Sequence, residues 1–105
     1  AAAGLWTTSG DYARFLVGLQ SAFLGRAGSL ITRETCGQLA TIPPGGRSFG
    51  LGPKIIGQGR ARRFQHGGSN AGYICGSNAF LDGSRGVVVL TNSDSGAGLA
   101  EEIIL

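Results

Sequence analysis

Methionine is absent from the 105 residues, and histidine and tryptophan each occur once. Lysine is nearly absent too. Lys54 is the single example, so a Ser-x-x-Lys nucleophile would need serine at position 51, where Leu51 stands. The Tyr-x-Asn element that accompanies such a serine is missing as well, because Tyr12 leads to Arg14 and Tyr73 to Cys75. The two cysteines, Cys36 and Cys75, are far apart and match no metal or redox spacing, which reads as two buried free thiols. No apolar run approaches the roughly 18 residues needed to cross a bilayer, which excludes a transmembrane helix. Charged residues make up only 14% and apolar ones 42%, a balance that excludes a disordered polyelectrolyte and leaves some surface for a partner.

What is abundant is glycine. The 20 glycines are scattered without a period, which excludes collagen and predicts many tight turns. The net charge of +3 is carried by arginines, densest at Arg60, Arg62 and Arg63. No aromatic platform is interleaved with them and strand alternation would split them between faces, so no nucleic-acid partner is expected. The chain opens on Ala-Ala-Ala-Gly with neither an initiator methionine nor the regions of a signal peptide. We expect a piece of a longer protein, residues 1–105 forming the C-terminal fragment of one domain, of unknown compartment.

Local signals predict an α+β fold, an antiparallel sheet of about three strands with flanking N- and C-terminal helices. Thr8 followed by Asp11 resembles a capping box, and Tyr12, Phe15, Leu16, Leu19 and Phe23 recur at helical spacing, predicting a helix over 9–24. Gly25 and Gly28 stop it, and a second helical stretch runs over 32–40. Residues 48–56, with Pro53, suggest an irregular or edge strand. Residues 61–66 extend toward a glycine-rich turn that opens with His66, and 73–81 return antiparallel. After the hairpin connection 82–86, the unbroken run Val87-Val88-Val89-Leu90-Thr91 suits a strand covered on both faces. A helix over 95–105 closes the chain, with Leu99, Ile103 and Ile104 inward.

Chemistry is expected at Phe64-Gln-His-Gly-Gly-Ser-Asn-Ala-Gly-Tyr73. Glycines 67, 68 and 72 let main-chain N–H groups close on a ligand, and His66 supplies a group that titrates near neutral pH. Gly46-Arg47-Ser48-Phe49-Gly50 fits the pattern of a nucleophile elbow but lacks its strand and helix context, and no Asp or Glu lies between Ser48 and His66. Ser93-Asp94-Ser95 reads as helix capping. No convincing nucleophile completes the histidine.

Four segments in order carry a resemblance: Gly-Leu-Trp-Thr-Thr-Ser-Gly-Asp at 4–11, Phe-Gly-Leu-Gly at 49–52, His-Gly-Gly-Ser-Asn-Ala-Gly-Tyr at 66–73, and Gly-Val-Val-Val-Leu-Thr-Asn-Ser-Asp at 86–94. Together they resemble the C-terminal part of the serine β-lactamase-like family, which includes class C β-lactamases, penicillin-binding proteins, D-alanyl-D-alanine carboxypeptidases, D-aminopeptidases and esterases. The resemblance implies that His66-Gly67-Gly68 stands for the family's Lys-Thr-Gly, with His66 at the lysine position. It further implies that the backbone N–H of Ser69 is an oxyanion donor, and that Gly67, Gly68 and Asn70 line a small-molecule or peptide-like acyl substrate. Histidine for lysine and glycine for threonine weaken the grip on a substrate carboxylate, so esters or small D-amino-acid amides are expected over β-lactams.

The nucleophilic serine would lie outside this chain, and the fragment alone is expected to be inactive. No cofactor or metal is implied. The family architecture would set further strands beside 86–92, and without them that edge is expected to be open to self-association. Two other readings stay open: a non-catalytic ligand- or peptidoglycan-binding relative, and a self-contained structural domain.

Overall fold

The computed structural model describes residues 4–104; the expected last helical residue, Leu105, lies outside them. Helix α1 (Ser9–Phe23) starts where the sequence predicts. Thr8 Oγ1 accepts from the Asp11 N–H at 3.1 Å, the first half of a capping box, while the Asp11 carboxylate takes the Thr8 hydroxyl at 3.0 Å rather than the Thr8 N–H. Its end is a Schellman turn: Gly25, at φ +70°, donates to Ala22 C=O and Arg26 donates to Ser21 C=O, both at 2.9 Å. Helix α2 (Arg33–Leu39) is capped in turn by Thr32, whose hydroxyl accepts from the Thr35 N–H.

The sheet has four strands rather than three: β1 (Lys54–Ile56), β2 (Arg63–Asn70), β3 (Tyr73–Phe80) and β4 (Gly86–Thr91), antiparallel and in that spatial order. The fourth arises because the Pro53-led stretch pairs after all. Pro53 stops short of the ladder, and Lys54–Ile56 lie against Gln65–Arg63. A second correction concerns the histidine. His66, Gly67, Gly68 and Ser69 are not a turn but the middle of β2, each paired with a residue of β3. The turn proper is Ala71-Gly72, where Gly72 takes φ +81°.

Paired residues share a face, and faces alternate along each strand. One face carries Ile55, Phe64 and Ala79 and is covered by α1 and α2. Its core joins Ile55 and Phe64 to Ala22, Cys36, Ala40 and Leu81. Buried Gln20 adds a polar anchor, its Nε2 donating to Phe80 C=O at 2.8 Å and Arg85 C=O at 2.9 Å. Helix α3 (Ala97–Ile104) covers the other face. It sits close because Gly76 has no side chain where the Ile104 δ-methyl lies, and Asn78 Nδ2 donates to Ile104 C=O.

Two burial expectations change. In α3, Ala100 is the residue buried, while Leu99 and Ile103 are exposed, since the close approach over Gly76 rotates the small residue inward. In β4, Val89 is buried but Leu90, on the α1 side, is 40% exposed, because it lies beyond the Tyr12–Ser77 contact that marks the start of α1 over the sheet. Beyond β4 no further strand pairs among the described residues. No helix among them is long and apolar enough to cross a membrane.

Candidate functional site

The pairing determines where each main-chain group of β2 points. Leu81 N–H donates to Arg62 C=O and Phe80 N–H to Arg85 C=O, both at 2.9 Å. Stepping by two along the antiparallel ladder, Phe64, His66, Gly68 and Asn70 therefore exchange hydrogen bonds with β3. Arg63, Gln65, Gly67 and Ser69 direct theirs the opposite way. Arg63 and Gln65 meet β1 there, but the β1 pairing stops at Lys54 opposite Gln65. The N–H groups of Gly67 and Ser69 consequently face an open edge, with no acceptor among the described residues.

A cavity of about 700 Å³ lies beside this edge, between the sheet and α3, bordered by Lys54, Gln65, His66, Gly67, Ala100 and Glu101. Opposed glycines, Gly67 and Gly76, form its floor. Strand alternation sends the His66 imidazole to the α1 side of the sheet, so His66 borders the cavity by its main chain. The imidazole is exposed, and no hydroxyl or carboxylate of the described residues hydrogen-bonds to it.

Gly68 faces Cys75, whose Sγ would lie 2.9 Å from an added Cβ, and Asn70 ends the strand, exposed, opposite Tyr73. Ser48 is in a loop, its carbonyl accepting from Ile55 N–H, with neither the strand nor the helix of an elbow around it. Cys36 is buried, and desolvation pushes its thiol above the ordinary range, only partly offset by a main-chain hydrogen bond. Cys75 is half-buried rather than buried. No cluster of three His, Cys, Asp or Glu side chains able to hold a metal ion forms among the described residues.

The sequence segments that stood out converge on this end of the sheet. Trp6 packs edge-on against Tyr73 at 5.9 Å between centroids, and Phe49 borders the cavity. Asp94 does not cap α3. Its Oδ1 instead accepts from Gly72 N–H at 2.7 Å and pins the hairpin tip, while Ser93 Oγ takes the Ser95 N–H.

Two residues went unnoticed in the sequence. Tyr12, read there as an apolar helix position, meets Ser77 Oγ at 2.9 Å, and Ser77 Oγ donates to His66 C=O at 3.2 Å. The available signal was chemical: a tyrosine on the inner face of a helix needs a partner for its hydroxyl. No family model, curated protein or solved structure matches the chain.

Proposed function

We propose that β2 forms one wall of the acyl-substrate cleft of a serine hydrolase, the nucleophilic serine being carried on polypeptide outside these residues. The reading rests on one observation: the N–H groups of Gly67 and Ser69 project unpartnered from an open strand edge beside an exposed histidine. An unpaired donor on a rigid strand, the Ser69 N–H, suits one position of an oxyanion hole because it is oriented before charge develops. The Gly67 N–H, about 7 Å further along the edge, is free for another acceptor on the substrate. In the reaction the serine oxygen bonds to an ester, amide or lactam carbonyl carbon and gives its proton to a base. The leaving group departs protonated, and water then releases the acyl group.

An extended acyl or peptide-like substrate fits the vacant strand position beyond Lys54, pairing with Gly67 and Ser69 while Asn70 and the two glycines line its path. Penicillin-like specificity is disfavoured, because His66-Gly67 offers neither a fixed ammonium nor a hydroxyl to a carboxylate. The residues described here, lacking the nucleophile, are inactive alone. Labelling the complete protein with a fluorophosphonate and, separately, a fluorescent penicillin tests the reading. Strong labelling by the first and weak labelling by the second is expected, and no covalent adduct with either probe would sink it.

A binding role without catalysis draws support from the unpartnered imidazole. In that case a peptidoglycan-like peptide binds the same edge with no adduct formed. Separately, Val88 and Leu90 direct their main-chain groups away from β3 along an edge that no further strand covers among the described residues, a template for self-association of this chain. Light scattering should show concentration-dependent growth that a Val88→Lys variant suppresses.

A further inference from the structure

We propose that Tyr12 and Ser77 are positioning residues that pin the peptide plane between His66 and Gly67. Its use in substrate binding rests on the hydrolase reading above; the pinning itself does not. Ser77 is 2% exposed on the α1 face of β3, a place where an apolar residue would pack at no cost in hydrogen bonds. Its one hydroxyl hydrogen goes to His66 C=O at 3.2 Å, which leaves Tyr12 to donate to Ser77 Oγ at 2.9 Å. Tyr12 belongs to α1, 65 positions away in sequence, so the chain of hydrogen bonds ties a helix to this one carbonyl.

The consequence follows from peptide geometry. His66 C=O and Gly67 N–H belong to one planar trans unit and point in opposite directions. Holding the carbonyl toward β3 therefore holds the N–H toward the open edge. Pinning matters at this position because Gly67 and Gly68 have no side chains to resist rotation of the plane, and β1 does not reach far enough to hold them from outside. The His66 carbonyl uses both lone pairs: one takes the Ser77 N–H of the ladder, the other the Ser77 hydroxyl. A flipped plane would present a carbonyl oxygen where a donor is wanted.

The experiment is NMR on the full chain with Tyr12→Phe, Ser77→Ala and the double variant, following the His66 carbonyl 13C and Gly67 amide 15N resonances. Both should move upfield in Ser77→Ala and by less in Tyr12→Phe, with the double variant matching Ser77→Ala alone. Resonances that stay in place while the melting temperature falls would show a packing role only and overturn the proposal. Should Ser77→Ala fail to fold, Tyr12→Phe decides alone by the same shift. In the complete hydrolase, Tyr12→Phe should lower kcat/KM about tenfold, the scale of one lost hydrogen bond; an unchanged kcat/KM overturns the use at the site. Shifts in a protein that takes no fluorophosphonate uphold the pinning and remove the hydrolase reading instead.

Discussion

The two halves of β2 obey opposite rules although they are one continuous strand. Arg63–Gln65 are paired on both sides, and Phe64, 2% exposed, stands in the main core. His66–Asn70 are paired on one side only, and all five are exposed. The first half spends its residues on stability and the second leaves main-chain groups available. Rigidity reaches the second half from β3 and from the Tyr12–Ser77 hydrogen bonds, not from burial of its own side chains.

Substitutions should separate these halves by size of effect. Phe64→Ala should cost about 3–5 kcal/mol in urea unfolding through loss of the ring and the cavity left behind. An effect on the scale of a surface substitution would erase the distinction between the halves. Gly76→Ala comes next: its methyl would meet the δ-methyl of Ile104, the free end of a side chain that must turn aside, at a cost of about 1 kcal/mol. Across the pair, Gly67→Ala has only Cys75 C=O nearby, at 3.4 Å, and His66→Ala removes an exposed ring. Both should alter stability by no more than about 0.5 kcal/mol, while Gly67→Ala, whose methyl projects into the cavity, weakens substrate binding and His66→Ala, whose ring lies on the other face, does so less. A destabilisation equal to that of Phe64→Ala would make the second half structural.

Thiol chemistry sharpens the same contrast. Cys75, half-buried opposite Gly68, should react with iodoacetamide well before Cys36, and equal rates would show that the core is open. Cys36 also sets a pH dependence. Its folded-state thiol holds the proton more tightly than the unfolded one, so stability is intact below the ordinary thiol range and declines as pH rises through it. Cys36→Ala should flatten that alkaline decline. The smallest effect is expected at exposed Asp82, whose carboxyl is held below its ordinary range by hydrogen bonds from Ser84 and then by Arg60 and Arg85. Its contribution disappears as pH falls through the acidic range, and Asp82→Asn should remove that dependence from an acid titration of the melting temperature.

Much of the frame was legible in the residues because its causes are local. Thr8 and Asp11, Gly25, Thr32 and the Asp82–Gly86 connection each act within a few positions, and the elements they bound formed where expected. The errors share a cause as well. Reading His66-Gly67-Gly68 as a turn followed from glycine composition, but its pairing with Ser77, Gly76 and Cys75 makes it a strand. Assigning Asp94 to a helix cap missed a partner 22 positions away, Gly72. The inward face of α3 was misjudged because a glycine on another element decides which side approaches.

The site divides in the same way. Its residue types, an isolated histidine followed by two glycines, are visible in one dimension, since composition and order need no fold. Which amides stand free, which face the imidazole takes and which hydroxyls brace it depend on where β1 stops and on contacts between α1 and β3. Only the tertiary structure decides these, because hydrogen-bond direction in a sheet is a property of the pairing and not of the strand.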